Sequence, residues 1–364
     1  MTFSANDHVA MARALALAER GLLTTTPNPR VGCVLINHGE IVGEGWHQRA
    51  GTPHAEIIAL NAAGPAARNA TAFVTLEPCS HFGRTPPCAD ALIAAGVTRV
   101  VAAMTDPNPL VSGRGMERLR ASGVQVETGL LEQQARELNP GFISRMTRGR
   151  PWLRLKAAAT LDGKTALNNG TSQWITGAAA RRDGQRWRAR ACAILTGIGT
   201  VRADNPRMTV REIPCERQPL RVLVDARLEV SPTALLLDQG HCLVACAIVA
   251  PDKAAVLRGV GVEVLCLPDA EGKVDLPALL RELARRGCNE IHAEAGLALN
   301  GALLRDGLVD ELLLYVAPML AGDDARGLFA LPTLTGLDQA VRLDLHDVRK
   351  VGSDLRVIAR PVAS

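Results

Sequence analysis

The sequence predicts two α/β domains in tandem. The chain has 364 residues, about twice the length of a typical domain. Short apolar runs alternate with helix-period segments through both halves, the pattern of an α/β layer fold. Between them lies a breaker-rich stretch without a clear period, Gly141 to Pro151 (GFISRMTRGRP). The joint is placed there, giving a first domain over residues 1–146 and a second over 150–364.

In the first half, residues 5–21 read as an amphipathic helix, with Met11, Ala14, Leu15 and Ala18 along one stripe and Gly21 as the stop. Val31–Ile36, a turn over Asn37–Glu40 and Ile41–Val42 read as a β-hairpin. His54–Ala63 is a short helix ended by Gly64-Pro65, Ala72–Leu76 a strand, and Ala89–Ala95 a helix ended by Gly96. Strands follow at Val97–Met104 and Val124–Thr128, with helices near 114–121 and 130–138, so about five strands carry helices on both faces. The second half restarts with strands at Trp152–Ala159, Ala193–Thr196, Arg221–Asp225, Cys242–Ala247, Val262–Leu267, Glu290–Ala293 and Leu312–Val316. Its helices are expected at 177–190, 276–286 and 297–306, and Leu343–Val348 with Leu355–Pro361 forms a hairpin closing the sheet edge.

Composition narrows the function. A 47% hydrophobic, 21% charged chain can bury an ordinary core, and at 3% aromatic that core is aliphatic. No run of about 18 apolar residues is present, so no membrane span is expected. Met1–Asp7 carries neither a basic nor an apolar stretch, so no secretory signal is expected. The 41 Lys+Arg against 37 Asp+Glu are scattered rather than clustered, which argues against a nucleic-acid partner. Nine cysteines, an odd number without tight spacing, suit a reduced, cytoplasmic protein.

The strongest chemical signal is His54-Ala55-Glu56 followed by Pro78-Cys79 and Cys88. One imidazole and two thiolates make three ligands for Zn²⁺ and leave a position for water, the open geometry of a catalytic site. Zinc lowers the pKa of such a water towards about 7, and Glu56 can move its proton. His-x-Glu with Pro-Cys is the signature of zinc nucleobase deaminases, although here eight residues rather than two separate the cysteines. A closed structural site is the alternative, with His81 the nearby fourth ligand. Asn28 and Asn108 lie in proline-flanked loops where an amide can read a pyrimidine edge.

The stretches PNPRVGCVL, GEGWHQRAGTPHAE and EPCSHFGRTPPC, from Pro27 to Cys88, closely resemble the deaminase half of the bifunctional riboflavin-biosynthesis deaminase–reductases, a family that uses this cysteine spacing. The resemblance implies a cytidine-deaminase-like three-layer α/β/α domain that hydrolyses the 2-amino group of a diaminopyrimidine bearing a phosphoribosylamino arm. It implies that His54, Cys79 and Cys88 bind one zinc per chain, that Glu56 donates and accepts the proton, and that Asn28, His47, His81 and Asn108 line the pyrimidine pocket.

The second half carries LKAAATLDGK from Leu155, Ser172-Gln-Trp174-Ile-Thr176, Thr196-Gly-Ile-Gly-Thr200 and Glu294-Ala-Gly296-Leu-Ala-Leu-Asn-Gly301. Two of these are strand–glycine–helix junctions, where free N–H groups can hold a phosphate. The usual Gly-x-Gly-x-x-Gly fingerprint is absent, and Gly197-x-Gly199 alone is a weak signal. From Lys156 to Gly322 the chain resembles the reductase half of the same family, which implies a dihydrofolate-reductase-like α/β domain using NADPH. Ala158, Trp174, Thr200, Asp204, Gly296, Leu297, Ala298 and Leu299 would then contact the cofactor. Ser172, Arg188, Met208, Arg211 and Glu294 would face the phosphorylated substrate, the arginines because a guanidinium fork matches phosphate oxygens. Thr160 stands where that family usually has Ser, which keeps the hydroxyl. His292 is left as a strand residue, either facing this pocket or buried. A homo-oligomer is expected.

Overall fold

In the computed structural model, the hydroxyl of Ser4 accepts the backbone N–H of Asp7, and the Asp7 carboxylate accepts that of Ser4. This capping box satisfies two of the orphan donors that open helix α1 (Ala5–Glu19). The structure describes residues 3–80, 87–109, 111–238 and 240–362. The chain divides into two units, Met1–Gly149 and Arg150–Ser364.

After α1 the first unit runs β1 (Gly32–Asn37), β2 (Glu40–Trp46), α2 (Ala55–Ala63), β3 (Thr71–Val74), α3 (Cys88–Ala94), β4 (Arg99–Ala102), α4 (Arg114–Ala121), β5 (Gln125–Thr128), α5 (Glu132–Leu138) and α6 (Pro140–Arg148). The sheet order is β2-β1-β3-β4-β5, antiparallel across β2, β1 and β3 and parallel from β3 to β5. Strand alternation splits the apolar residues between two layers. Val34, Phe73 and Val101 pack with Met11, Leu17, Leu138 and Phe142 on one face. Cys33, Leu35, Ala72 and Val74 pack with Ala55, Ala59, Ala89 and Leu92 on the other. The result is the three-layer arrangement expected.

Two expectations need correction here. The stretch read as a joint is mostly helix α6, with Pro140 at its first turn and left-handed Gly149 (φ 67°) at its end. These are the positions where a helix accepts Pro and Gly, and buried Phe142 ties α6 to the first unit's core. Strand β3 also ends earlier than Leu76. Thr75 and Glu77 still donate to Gly32 O and Met104 O, 3.1 and 2.9 Å, and Cys79 follows in an irregular segment beyond the strand.

The second unit runs β6 (Trp152–Thr160), β7 (Lys164–Ala166), α7 (Ala178–Arg190), β8 (Ala193–Gly197), α8 (Ile198–Asp204), β9 (Leu220–Val224), β10 (Cys242–Cys246), α9 (Pro251–Gly259), β11 (Val262–Cys266), α10 (Leu276–Arg285), β12 (Glu290–Ala293), α11 (Leu297–Arg305), β13 (Glu311–Ala317), β14 (Arg326–Gly327), β15 (Leu343–Val351) and β16 (Asp354–Pro361). Its sheet order is β11-β10-β9-β8-β12-β6-β13-β16-β15, parallel from β11 to β13, then antiparallel. β7 pairs separately with β14. The terminal hairpin extends the sheet rather than closing it, so β15 is an edge. A row of exposed apolar residues (Leu343, Leu345, Val348, Leu355) lies on one face of that hairpin, kept in phase by a bulge between Leu345 and Asp347. No helix among the described residues is long and apolar enough to cross a membrane.

Candidate functional site

The site of the first unit is assembled where α2 meets β2. A Cβ at Gly45 would fall 2.4 Å from Ala55 O, so only glycine lets the start of α2 lie directly on the β2 backbone. That close approach fixes His54, the residue capping α2, and puts Glu56 in the helix's first turn, 3% exposed. Cys88 opens α3 and donates its backbone N–H to Cys79 Sγ at 3.3 Å, while Ala89 N–H reaches Cys79 O. His54 Nδ1 therefore lies 3.6 Å from Cys79 Sγ and 3.3 Å from Cys88 Sγ. A tetrahedral zinc with bonds of about 2.0–2.3 Å requires ligand separations of roughly 3.6–3.8 Å. The three donor atoms, all within 4.8 Å of one another, fit that ion. Among the described residues this metal-ligating group has only these three members.

The local electrostatics favour one ready thiolate. Cys79 is held down at about 4 because its sulfur accepts from the Cys88 thiol, the His54 ring and the Cys88 N–H, while the Cys88 thiol is pushed up by the same neighbour. Burial pushes the Glu56 carboxyl up to about 7, against the pull of His54.

His47 stands edge-on to His54, ring centroids 5.3 Å apart. Its Nδ1 lies 3.2 Å from Pro53 O, an acceptor, so that nitrogen carries the proton and Nε2 accepts from Asn28 Nδ2 at 3.0 Å. Burial lowers the His47 pKa, which keeps this neutral form. Asn28 and His47 are thus brought to the zinc-ligating group. Asn108 is half-buried in the loop before α4. His81 lies outside the described residues.

In the second unit the parallel strands β8 and β12 are neighbours, and their C-terminal turns face each other. A Cβ at Gly296 would lie 3.9 Å from Thr200 Oγ1, and one at Gly197 would lie 3.3 Å from Leu299 Cδ2. Gly296, Leu297 and Ala298 are exposed at the start of α11, which has no side-chain cap, so its first N–H groups are open to a ligand. Ala158 lies on β6, opposite Tyr315 of β13. Trp174 is 68% exposed and stacks on Arg181 at 4.4 Å. Asp204 is exposed at the last residue of α8, and Ser172 sits in the segment before α7.

A charged cluster adjoins this face. Arg188 donates Nε and Nη2 to Glu294 at 2.5 and 2.9 Å, and Nη1 to Thr209 O at 2.9 Å. The fork expected to clasp a phosphate is closed on a carboxylate instead. Burial would raise Glu294, but Arg188 and Lys156, whose Nζ lies 3.8 Å away, hold it well below its usual value. Met208 is a buried core residue touching Arg188 through sulfur. Arg211 is exposed, and its backbone N–H donates to Gln185 Oε1. His292 is fully buried, 3.2 Å from Glu294 Oε1 but outside hydrogen-bond geometry, and burial lowers its pKa. Lys156, Gln185 and Glu77 (described below) were not singled out by their spacing.

Two family descriptions match the chain: "Cytidine and deoxycytidylate deaminase zinc-binding region" over residues 4–104 and "RibD C-terminal domain" over residues 151–357. Riboflavin biosynthesis protein RibD of Escherichia coli is 49% identical, with 96% of this chain and 98% of that protein covered. The Haemophilus influenzae protein of the same name is 45% identical over 99% of both. The chain belongs to the RibD family.

Among solved structures, Acinetobacter baumannii RibD superposes with a TM-score of 0.92 at 43% identity, covering 98% of this chain and 99% of that one. The Thermotoga maritima diaminohydroxyphosphoribosylaminopyrimidine deaminase/5-amino-6-(5-phosphoribosylamino)uracil reductase gives 0.87 at 33% identity, covering 98% and 99%. As a RibD-family member the chain is a bifunctional enzyme of riboflavin biosynthesis, a zinc deaminase followed by an NADPH reductase. The zinc and NADPH expectations agree with the His/Cys/Cys group and the two matched domains.

Proposed function

We propose that the first unit removes the 2-amino group of 2,5-diamino-6-(5-phosphoribosylamino)pyrimidin-4-one. The second unit then reduces the ribosyl C1′ of the resulting uracil to a ribityl chain. The observation that carries this reading is the convergence of His54 Nδ1, Cys79 Sγ and Cys88 Sγ within 4.8 Å beside buried Glu56. When bound, zinc supplies a Lewis acid that makes water acidic near neutral pH. His54, Cys79 and Cys88 would hold that ion, and Glu56 would take the proton from water and return it to the departing amino nitrogen. A carboxyl raised to about 7 is matched to both transfers. The Asn28 amide, oriented by His47, together with Asn108 and His81, reads the pyrimidine edge.

In the second unit NADPH supplies the hydride. Ala158, Trp174, Thr200, Asp204 and the turn Gly296–Leu299 would hold it, the open N–H groups of α11 suiting a phosphate. Ser172 and Arg211 face the substrate, while buried Met208 packs against Arg188, which acts by fixing Glu294. A cytoplasmic setting fits a chain of nine cysteines with no disulfide among the described residues. The apolar row on hairpin β15–β16 supports a homo-oligomer.

Zinc analysis, NADPH titration and turnover on one sample test the reading. About one zinc per chain, saturable NADPH binding and NADPH oxidation only with the deaminated pyrimidine are expected. Deamination by metal-free protein, or no saturable NADPH binding, would overturn the corresponding half.

A further inference from the structure

We propose that Glu77 is the positioning residue that sets Asn108 against the zinc-ligating end of the deaminase pocket. This rests on the reading that Asn108 faces the pyrimidine. Glu77 is 3% exposed, and its carboxylate gathers three backbone N–H groups from one loop. Oε2 accepts from Asp106 at 3.1 Å and Gly113 at 2.9 Å, and Oε1 accepts from Gly115 at 2.9 Å.

Between the clamped amides sits Asn108. Its N–H donates to Asp106 Oδ1 at 2.8 Å, and its carbonyl accepts from Val111 and Ser112, both at 2.9 Å. The other end of the clamp is equally tight. A Cβ at Gly115 would fall 1.9 Å from Pro78 O, so the start of α4 lies directly on the peptide joining Glu77 to the cysteine segment. Only Pro78 separates Glu77 from Cys79. One side chain therefore references the Asn108 loop to a zinc-ligating cysteine.

A carboxylate suits the task because it offers two acceptor oxygens and no donor. In Glu77→Gln the amide can keep one acceptor, but its NH₂ must face one of the clamped N–H groups, donor against donor. Neither Asn108 nor Cys79 is altered chemically.

The test is steady-state kinetics on the full-length zinc enzyme. Glu77→Gln should raise the deaminase KM roughly tenfold or more, with kcat within about threefold. Zinc content and reductase kcat/KM should be unchanged, and Glu77→Asp, which keeps both oxygens, should recover most of the KM. Asn108→Ala should show the same KM signature. If Asn108→Ala raises KM while Glu77→Gln leaves it alone, the positioning role is wrong. If Asn108→Ala leaves KM unchanged, the pocket reading fails and takes the proposal with it. Loss of zinc in Glu77→Gln, or equal loss of kcat, would also overturn it, since Glu77 would then serve the ligand set or the fold. Hydrogen exchange on the unaltered enzyme is a second measurement that needs no variant. Slow exchange at the Asp106, Gly113 and Gly115 amides supports the clamp, and fast exchange there refutes it.

Discussion

Replacing Glu56 by Gln should stabilise the metal-free protein while sharply lowering deamination by the zinc enzyme. The Glu56 carboxyl is 3% exposed, and burial raises it from 4.5 to about 7. A folded pKa above the unfolded one means that stability is full below pH 4.5 and falls as pH rises through 7. The shift of about 2.5 units, at 1.36 kcal/mol per unit, corresponds to about 3 kcal/mol once the group is ionised in both states. At pH 5 the same linkage leaves under about 1 kcal/mol. Gln is nearly isosteric and never ionises, so it escapes this penalty. Calorimetry of chelator-treated wild type and Glu56→Gln should show the deaminase transition of the variant several degrees higher at pH 8 and nearly coincident at pH 5. Equal stability at pH 8, or a gain independent of pH, would show that the carboxylate is not held in an apolar setting. In the zinc-loaded enzyme the same change should retain the metal and lower deamination by about 10²–10⁴.

Three further outcomes follow from the ion pairs and the metal group. Arg99 donates to Asp7 at 2.7 Å and holds its carboxyl at about 2, so Asp7→Asn should lose up to about 2 kcal/mol at pH 7. The stability gap in urea titrations should narrow as pH falls from 3.8 through 2. Arg154 is 1% exposed, reaches Glu311 at 2.5 Å and Glu290 at 3.3 Å, and stacks on Trp187 at 4.4 Å. Arg154→Ala should therefore destabilise the second unit by about 3–5 kcal/mol, read from tryptophan emission during denaturation. Dialysis against a chelator should remove deamination and leave NADPH oxidation with the deaminated substrate intact; joint loss would show that the two activities do not reside in separate units.

What was legible in the sequence is what carries its own local mark. Parallel strands buried on both faces, such as β8 and β10, read as apolar runs, so the inner strands of the second sheet were legible. His54, Glu56, Cys79 and Cys88 stood out because the expected ligands and proton carrier fall at fixed offsets around a helix start and a Pro-Cys pair. Helix α8 was missed because one buried residue, Val201, leaves no period to detect. Helix α6 was missed because its Pro and Gly read as breakers when they stand at the two ends where helices tolerate them.

The harder misses share one cause: the meaning of the residue lies in a distant partner. Arg188 looks free for phosphate until Glu294, 106 residues on, closes its fork. Glu77 looks like motif filler until Gly113 and Gly115, 36 and 38 residues on, bring their N–H groups to it. Yet a faint local mark did exist in each functional strand. Glu77 stands two residues before Cys79, and Lys156 two before Ala158, the spacing that puts two residues on one pleat face wherever the chain runs as a strand. For Lys156 that alternation holds along the regular strand β6, and it alone would have placed an ammonium beside Ala158, the alanine expected to face the cofactor. For Glu77 it would have pointed the right way for the wrong reason, since the strand has already ended and the carboxylate is aimed by the loop it binds.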